Sequence, residues 1–187
     1  MEKARGDSVS RLAWGLGKFL CKGIFSILSV GPLPNHIAFI MDGNRRYEKK
    51  QNMAEGAGHK AGYFALMKML YYCYELGVKH VTVYGFSIDN FKRCPEEVHA
   101  LMDLFLEMIE ELLKEESIVS HYGVRIYIIG NLKLLSEPVR VAAERAMAAT
   151  ANNTKAAFLI CVAYTSYDEI VHAVQDPAWL KVMKLKN

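Results

Sequence analysis

From His36 onward the chain alternates two apolar patterns. Short runs rich in β-branched residues read as strands, and longer segments with apolar side chains at helical spacing read as helices. His36–Met41, Val81–Phe86, Val124–Ile129 and Ala157–Ala163 are the expected strands. Gly58–Leu76 sets Ala61, Phe64, Ala65, Met67, Lys68 and Tyr72 near helical spacing, and Gly77 supplies a stop. A second helix starts near Pro95, where Val98, Leu101, Met102, Phe105, Met108, Ile109 and Leu112 form an apolar face between Glu-rich positions. Ser136, with Pro138 in the first turn, opens a third helix to Thr150; Thr165 or Ser166 caps a fourth that reaches about Gln175. Such alternation predicts an α/β domain with a mainly parallel central sheet flanked by helices. Functional residues then belong at the strand ends, where open parallel sheets bind ligands.

Residues 10–31 follow another pattern. Leu12, Trp14, Leu16, Phe19, Leu20, Ile24, Phe25 and Leu28 make a broad apolar surface as a helix, interrupted by Arg11, Lys18 and Lys22. The uninterrupted apolar run is too short to span a bilayer. A cation-flanked amphipathic helix suits a membrane interface, and a helix packed on the domain accounts for the pattern equally well. A signal peptide is not expected, because no small-residue cleavage site follows. The chain thus divides into an amphipathic N-terminal segment (1–33), one domain (34–175) and a divergent tail (176–187).

Composition narrows the function classes. A chain of 187 residues with 52% hydrophobic side chains has material for one sizeable core. A net charge of +3, with both signs interspersed, argues against a nucleic-acid surface, so phosphate recognition must come from a few placed residues. Cys21, Cys73, Cys94 and Cys161 lie far apart, without zinc-ligand spacing or a disulfide framework, and are expected to be buried thiols.

The first cluster of chemistry follows the first strand. Asp42 comes directly after the apolar run, Gly43 lets the backbone approach a ligand, Asn44 offers an amide donor, and Arg45 and Arg46 offer forked donors to diphosphate oxygens. The carboxylate would repel a diphosphate without a divalent cation between them, which makes Mg²⁺ the economical inference. A helix-capping Asp in a Gly turn, followed by surface arginines, is the alternative for Asp-Gly-Asn alone. The second cluster follows the second strand: Phe86-Ser87-Ile88-Asp89-Asn90-Phe91-Lys92-Arg93, then Pro95-Glu96-Glu97. Ser87 and Asn90 are hydrogen-bonding groups and Arg93 pairs with carboxylate or phosphate, but a capped strand-to-helix connection has the same composition.

The longer strings carry a family resemblance. His36 to Tyr47, followed by Gly58-His59-Lys60-Ala61-Gly62, closely resembles the first signature of the cis-prenyltransferases, the dehydrodolichyl and undecaprenyl diphosphate synthases; Phe86 to Arg93 resembles their second. The resemblance implies an α/β fold of that family and condensation of isopentenyl diphosphate onto an allylic primer such as farnesyl diphosphate. It implies that Asp42 is the Mg²⁺ ligand and catalytic residue, and that Gly43, Asn44, Arg45, Arg46 and His59 bind the primer diphosphate. Asn90 joins the catalytic set, while Phe86, Ser87, Phe91, Arg93 and Glu97 take supporting substrate-binding roles. Met67, Leu70, Leu101, Phe105, Ile109 and Leu112 are candidates for a lipid cleft, with ordinary core as the competing reading. A homodimer, or a heterodimer with a Nogo-B-receptor-type subunit, at the cytoplasmic face of the endoplasmic reticulum membrane is implied if the chain is eukaryotic.

The resemblance also marks departures. Glu55 stands where many relatives have a phosphate-binding arginine, and Tyr167 where many have another. The later segments that bind isopentenyl diphosphate do not follow Gln175, so the C-terminal strands are expected to be missing and the isopentenyl diphosphate site incomplete. A non-catalytic form that binds primer or regulates full-length subunits is the alternative function.

Overall fold

The computed structural model describes residues 23–175; the expectations for residues 1–22 and 176–187 lie outside the described residues. Four strands, β1 (His36–Ile40), β2 (His80–Ser87), β3 (Val124–Ile129) and β4 (Ala156–Tyr164), form one sheet in the order β1-β2-β4-β3. Every neighbouring pair is parallel. The helices are α1 (Asn44–Lys50), α2 (Ala57–Glu75), α3 (Pro95–Leu112), α4 (Ile118–Tyr122), α5 (Glu137–Ala149) and α6 (Ser166–Gln175), and residues 23–28 are also helical.

Strand register turns the sequence alternation into a core. Phe39, Val83, Ile160 and Ile128 line up across the sheet, as do Ile37, Val81, Phe158 and Ile126. Against this face α2 packs Leu66, Leu70, Cys73 and Tyr74, and α3 packs Met102, Met108, Ile109 and Leu112, all buried. Each large apolar side chain so buried contributes about 1.5–3 kcal/mol. An irregularity between Tyr84 and Ser87 shifts the alternation of β2, so Phe86 joins Val81 and Val83 on the buried face while Gly85 is exposed.

The two sheet edges differ. At β3, the Ile126 N–H donates to Thr150 Oγ1 at 3.0 Å and the Ile128 N–H to Met147 Sδ at 3.4 Å, so the end of α5 and its C-cap cover that edge. At β1 no strand among the described residues pairs the outer edge, and on the face away from α2 His36, Ala38 and Ile40 are exposed. Helix α6 buries none of its residues. Wholly parallel sheets are normally covered on both faces, and among the described residues this one is covered on one.

Helices α1 and α4 depart from the sequence expectation. The polar segment Asn44–Lys50 has no apolar period to announce a helix; it is started by Gly43 and favoured by Lys49 and Lys50 in its last turn. Helix α4 has five residues, and the Ser120 N–H donates to Ser117 Oγ at its start. Ser136 takes the N-cap position of α5 without a side-chain cap bond, whereas Thr165 Oγ1 accepts the Asp168 N–H. Cys73 and Cys161 are buried, and burial pushes both thiols up. Cys94 is exposed, against expectation, because it is the N-cap of α3 and precedes the segment that packs on the sheet.

Candidate active site

The β1 ladder carries one residue past the strand, since the Met41 N–H still donates to the Tyr84 carbonyl at 3.1 Å. The chain then turns through Gly43, whose φ of 87° is the left-handed conformation that glycine adopts without strain, and enters α1. This turn sets the Asp42 carboxylate. Its Oδ1 accepts the Gly43 N–H at 2.6 Å, and its Oδ2 pairs with Arg46 Nη2 at 3.0 Å. The backbone N–H, then the Arg46 guanidinium, hold the Asp42 carboxyl below the usual range. The group is therefore an exposed, ionised carboxylate at a strand end.

Helices α1 and α2 are clasped together. The Gly58 N–H donates to Glu48 Oε2 at 2.8 Å, and the Asn44 Nδ2 lies 3.4 Å from His59 Nδ1. His59 is largely enclosed; its Nε2 is buried with no hydrogen-bond partner among the described residues and lies 3.7 Å from Glu97 Oε1. Burial pushes the imidazole pKa down, with Glu97 opposing and Arg93 adding to the shift. Glu97 also accepts from Arg93 Nη1 at 2.8 Å and lies 3.6 Å from Arg45 Nη1. One carboxylate on α3 thus faces two guanidiniums and an imidazole from other parts of the chain.

Two cavities meet at this cluster. A polar one of about 110 Å³ is walled by Met41, Asp42, Gly43, Asn44, Arg45, Arg46, His59 and Arg93. An apolar one of about 100 Å³ shares Met41, Asn44 and His59 with it and continues along Tyr63, Phe86, Leu101, Met102, Phe105 and Met108. A wider cleft of about 800 Å³ opens beside them, where Glu55 and Lys60 stand near Arg45, His59 and Glu97. A cationic recess opening onto an apolar one suits a molecule with an anionic head and a hydrocarbon tail.

Most of the expected site residues come together here. Asp42, Gly43, Asn44, Arg45, Arg46, His59 and Arg93 share the polar cavity, Phe86 walls the apolar one and Glu97 the wide cleft. Ser87, Asn90 and Phe91 wall none of these three. Ser87 Oγ accepts the Asp89 N–H at 3.1 Å, capping the 3-10 turn Ile88–Lys92, and Phe91 stacks edge-on against Phe86 at 4.9 Å. Of the proposed cleft residues, Leu101 and Phe105 face the apolar cavity; Leu70, Ile109 and Leu112 are fully buried core, and Met67 lies outside its walls. Glu48, Tyr63 and Met102 wall these cavities but lie outside both signature strings. For Met102, the apolar period of α3 was the available signal.

Residues 40–186 match the family model described as "Putative undecaprenyl diphosphate synthase". The chain belongs to the cis-prenyltransferase family. Among cis-prenyltransferases it is 63% identical over 188 residues to dehydrodolichyl diphosphate synthase CPT3 of Solanum lycopersicum, covering 99% of this chain and 65% of that protein. It is 44% identical over 154 residues to the dehydrodolichyl diphosphate synthase complex subunit DHDDS of Homo sapiens, covering 82% of this chain and 46% of that one. The crystal structure of lavandulyl diphosphate synthase from Lavandula x intermedia in complex with dimethylallyl diphosphate superposes with a TM-score of 0.68 at 28% identity, over 76% of this chain and 60% of that one. The chain therefore spans less than two thirds of the length of these relatives.

Proposed function

We propose that this chain captures an allylic diphosphate primer and serves as a cis-polyprenyl diphosphate synthase, condensing isopentenyl diphosphate onto it to make a long-chain, dehydrodolichyl-type product. The observation that carries the reading is the junction of the two cavities at Asn44 and His59: guanidiniums for a diphosphate on one side, an apolar channel for a prenyl tail on the other. Arg45, Arg46 and Arg93 supply the forked donors, the Gly43 turn brings backbone close to the diphosphate, and Leu101, Phe105 and Met108 exclude water from the tail. Such fixed donors act on charge that grows on the departing diphosphate, which makes the catalysis electrostatic and positional.

Mg²⁺ is the proposed cofactor. Among the described residues no three His, Cys, Asp or Glu side chains form a cage. Mg²⁺ commonly keeps several waters and binds through one carboxylate plus substrate phosphates, and the exposed, ionised Asp42 fits that donor set. When bound there, the ion supplies positive charge against the leaving diphosphate. Asn90 as a catalytic residue, with Ser87 and Phe91 in support, is proposed to help organise the reacting diphosphates from the connection that holds Arg93.

The working assembly is proposed to be a dimer, either of this chain or with a Nogo-B-receptor-type subunit, at the cytoplasmic face of the endoplasmic reticulum membrane. Supporting this, the human relative is named as a complex subunit, and Ile24, Ile27, Leu28 and Val30 are exposed apolar residues near the N-terminal end of the described chain. No helix among the described residues is long and apolar enough to cross a membrane.

The test is Mg²⁺-dependent incorporation of labelled isopentenyl diphosphate onto farnesyl diphosphate, by the chain alone and with a partner subunit, beside an Asp42→Ala control. Incorporation that disappears in the control is expected. Folded, primer-binding protein that incorporates nothing in either setting would leave primer binding or regulation of other subunits as its role.

A further inference from the structure

We infer that Glu97 is a positioning residue that exchanges its arginine partners for His59 when a diphosphate enters, so that primer capture is coupled to uptake of a proton by the His59 imidazole. The inference rests on the proposed diphosphate site and adds to it a role for the carboxylate on α3.

The geometry sets up the exchange. Glu97 Oε1 lies 2.8 Å from Arg93 Nη1 and 3.7 Å from His59 Nε2, while Oε2 lies 3.6 Å from Arg45 Nη1. Arg93 and Arg45 both wall the polar cavity, where a diphosphate offers more charge and more acceptor oxygens than one carboxylate does. As the guanidiniums turn to that anion, the half-buried Glu97 loses its donors, and a carboxylate in such a place needs another. His59 Nε2 is the buried side-chain nitrogen, among the described residues, that lacks a hydrogen bond. A movement of about 1 Å brings Oε1 from its present separation to ordinary hydrogen-bond distance of that nitrogen.

The imidazole is arranged to accept the proton at its other nitrogen. The Asn44 amide nitrogen lies 3.4 Å from Nδ1; an amide N–H can only donate there, so we take Nδ1 as the unprotonated nitrogen and the ring hydrogen as the one on Nε2, facing Glu97. The proton comes from buffer: the buffer acid loses it, Nδ1 gains it, and Asn44 turns its amide to present Oδ1 to the new N–H. The charged groups that face His59 are Glu97 from α3, Arg93 from the preceding connection, and Glu48 and Arg45 from α1. Burial is the first cause that holds the imidazole pKa down in the free chain, with Arg93 and Arg45 adding to it; with both arginines engaged by the anion, Glu97 and Glu48, joined by the charge of the diphosphate, oppose burial alone and move the ring toward the imidazolium.

The test is calorimetric titration of the full chain with Mg²⁺ and inorganic pyrophosphate near neutral pH, in buffers of different ionisation enthalpy, so that protons taken up per site are read directly. Proton uptake is expected in the unaltered chain, with His59's share abolished by His59→Gln and reduced by about half or more in Glu97→Gln. Equal uptake with and without His59 overturns the proposal. Uptake that needs His59 but is unchanged in Glu97→Gln overturns the role of Glu97. Imidazole ¹⁵N resonances of the unaltered chain give a reading independent of variant folding: a His59 signal that stays neutral at saturating pyrophosphate also overturns it. Pyrophosphate that fails to bind at all removes the diphosphate site itself, a result distinct from binding without proton uptake.

Discussion

Replacing Gly62 by alanine separates the site from the fold. A Cβ at Gly62 would stand 2.4 Å from Asn44 Oδ1 and 3.0 Å from its Cγ, where ordinary contact begins at 3.4 Å. The Asn44 carboxamide must therefore shift by about 1 Å, leaving both His59 and the polar cavity. The helix itself gains, because alanine is favoured over glycine in a helix interior by about 1 kcal/mol, which offsets much of the local strain. Misplacement on this scale costs up to about 100-fold in a positioned site. We expect Gly62→Ala to weaken Mg²⁺-pyrophosphate binding by about 10- to 100-fold, or about 1.4–2.7 kcal/mol, with a melting temperature within a few degrees of the unaltered chain. Gly58→Ala supplies the contrast: its Cβ would meet the Asn44 backbone oxygen at 2.3 Å and Glu48 Cβ at 2.8 Å, and backbone does not step aside as a side chain does. That variant should lose about 1–3 kcal/mol of stability. Calorimetric binding together with thermal unfolding reads both quantities. Normal affinity in Gly62→Ala, or unfolding as severe as in Gly58→Ala, would refute the reasoning.

Three further outcomes test other parts of the structure. Leu70→Ala, which empties a fully buried position between α2 and the sheet, should cost about 2–5 kcal/mol in urea unfolding. Glu55→Arg places a cation in the cleft beside His59 and Lys60 and should tighten pyrophosphate binding several-fold, up to about tenfold, with the gain shrinking at high salt. Because burial depresses the His59 pKa in the folded, ligand-free chain, its contribution to stability is complete above the ordinary imidazole value of 6.5 and is lost as pH falls through the lower folded value. Urea midpoints between pH 7.5 and 5 should therefore fall, with a slope from this group of at most about 1.4 kcal/mol per pH unit that His59→Gln removes.

Much of this architecture was legible because the period of the apolar residues differs between strand and helix. Val124–Ile129 carries its alternation without interruption, and the expected and observed strands coincide. The first signature was legible for another reason: Asp42, Asn44, Arg46 and His59 gain their meaning from spacing in a recognisable string. The elements that were not legible had no apolar period to announce them. Helix α1 is polar throughout and is held by the long-range Glu48–Gly58 bond. The cover of the β3 edge depends on Thr150 and Met147, whose partners lie 24 and 19 residues earlier. The burial of Leu70, Ile109 and Leu112, in place of a lipid-facing role, depends on helix rotation against the sheet, which the amphipathic period alone leaves undetermined.

The strand order has a consequence for the making of this molecule. The last strand among the described residues, β4, sits between β2 and β3, so within this sheet β3 has no ladder partner until β4 arrives. While the chain leaves the ribosome, β1 and β2 can pair, but β3 waits as an unattached apolar segment until the Ala156–Tyr164 stretch is released. The β1-β2 pair and β3 are therefore joined late, by insertion of β4 between them, a non-local event of the kind that slows folding. A nascent chain stalled before Ala156 would display the primer-binding signature without the strand that joins β2 to β3. Quality control that senses exposed strands would meet this protein in that interval.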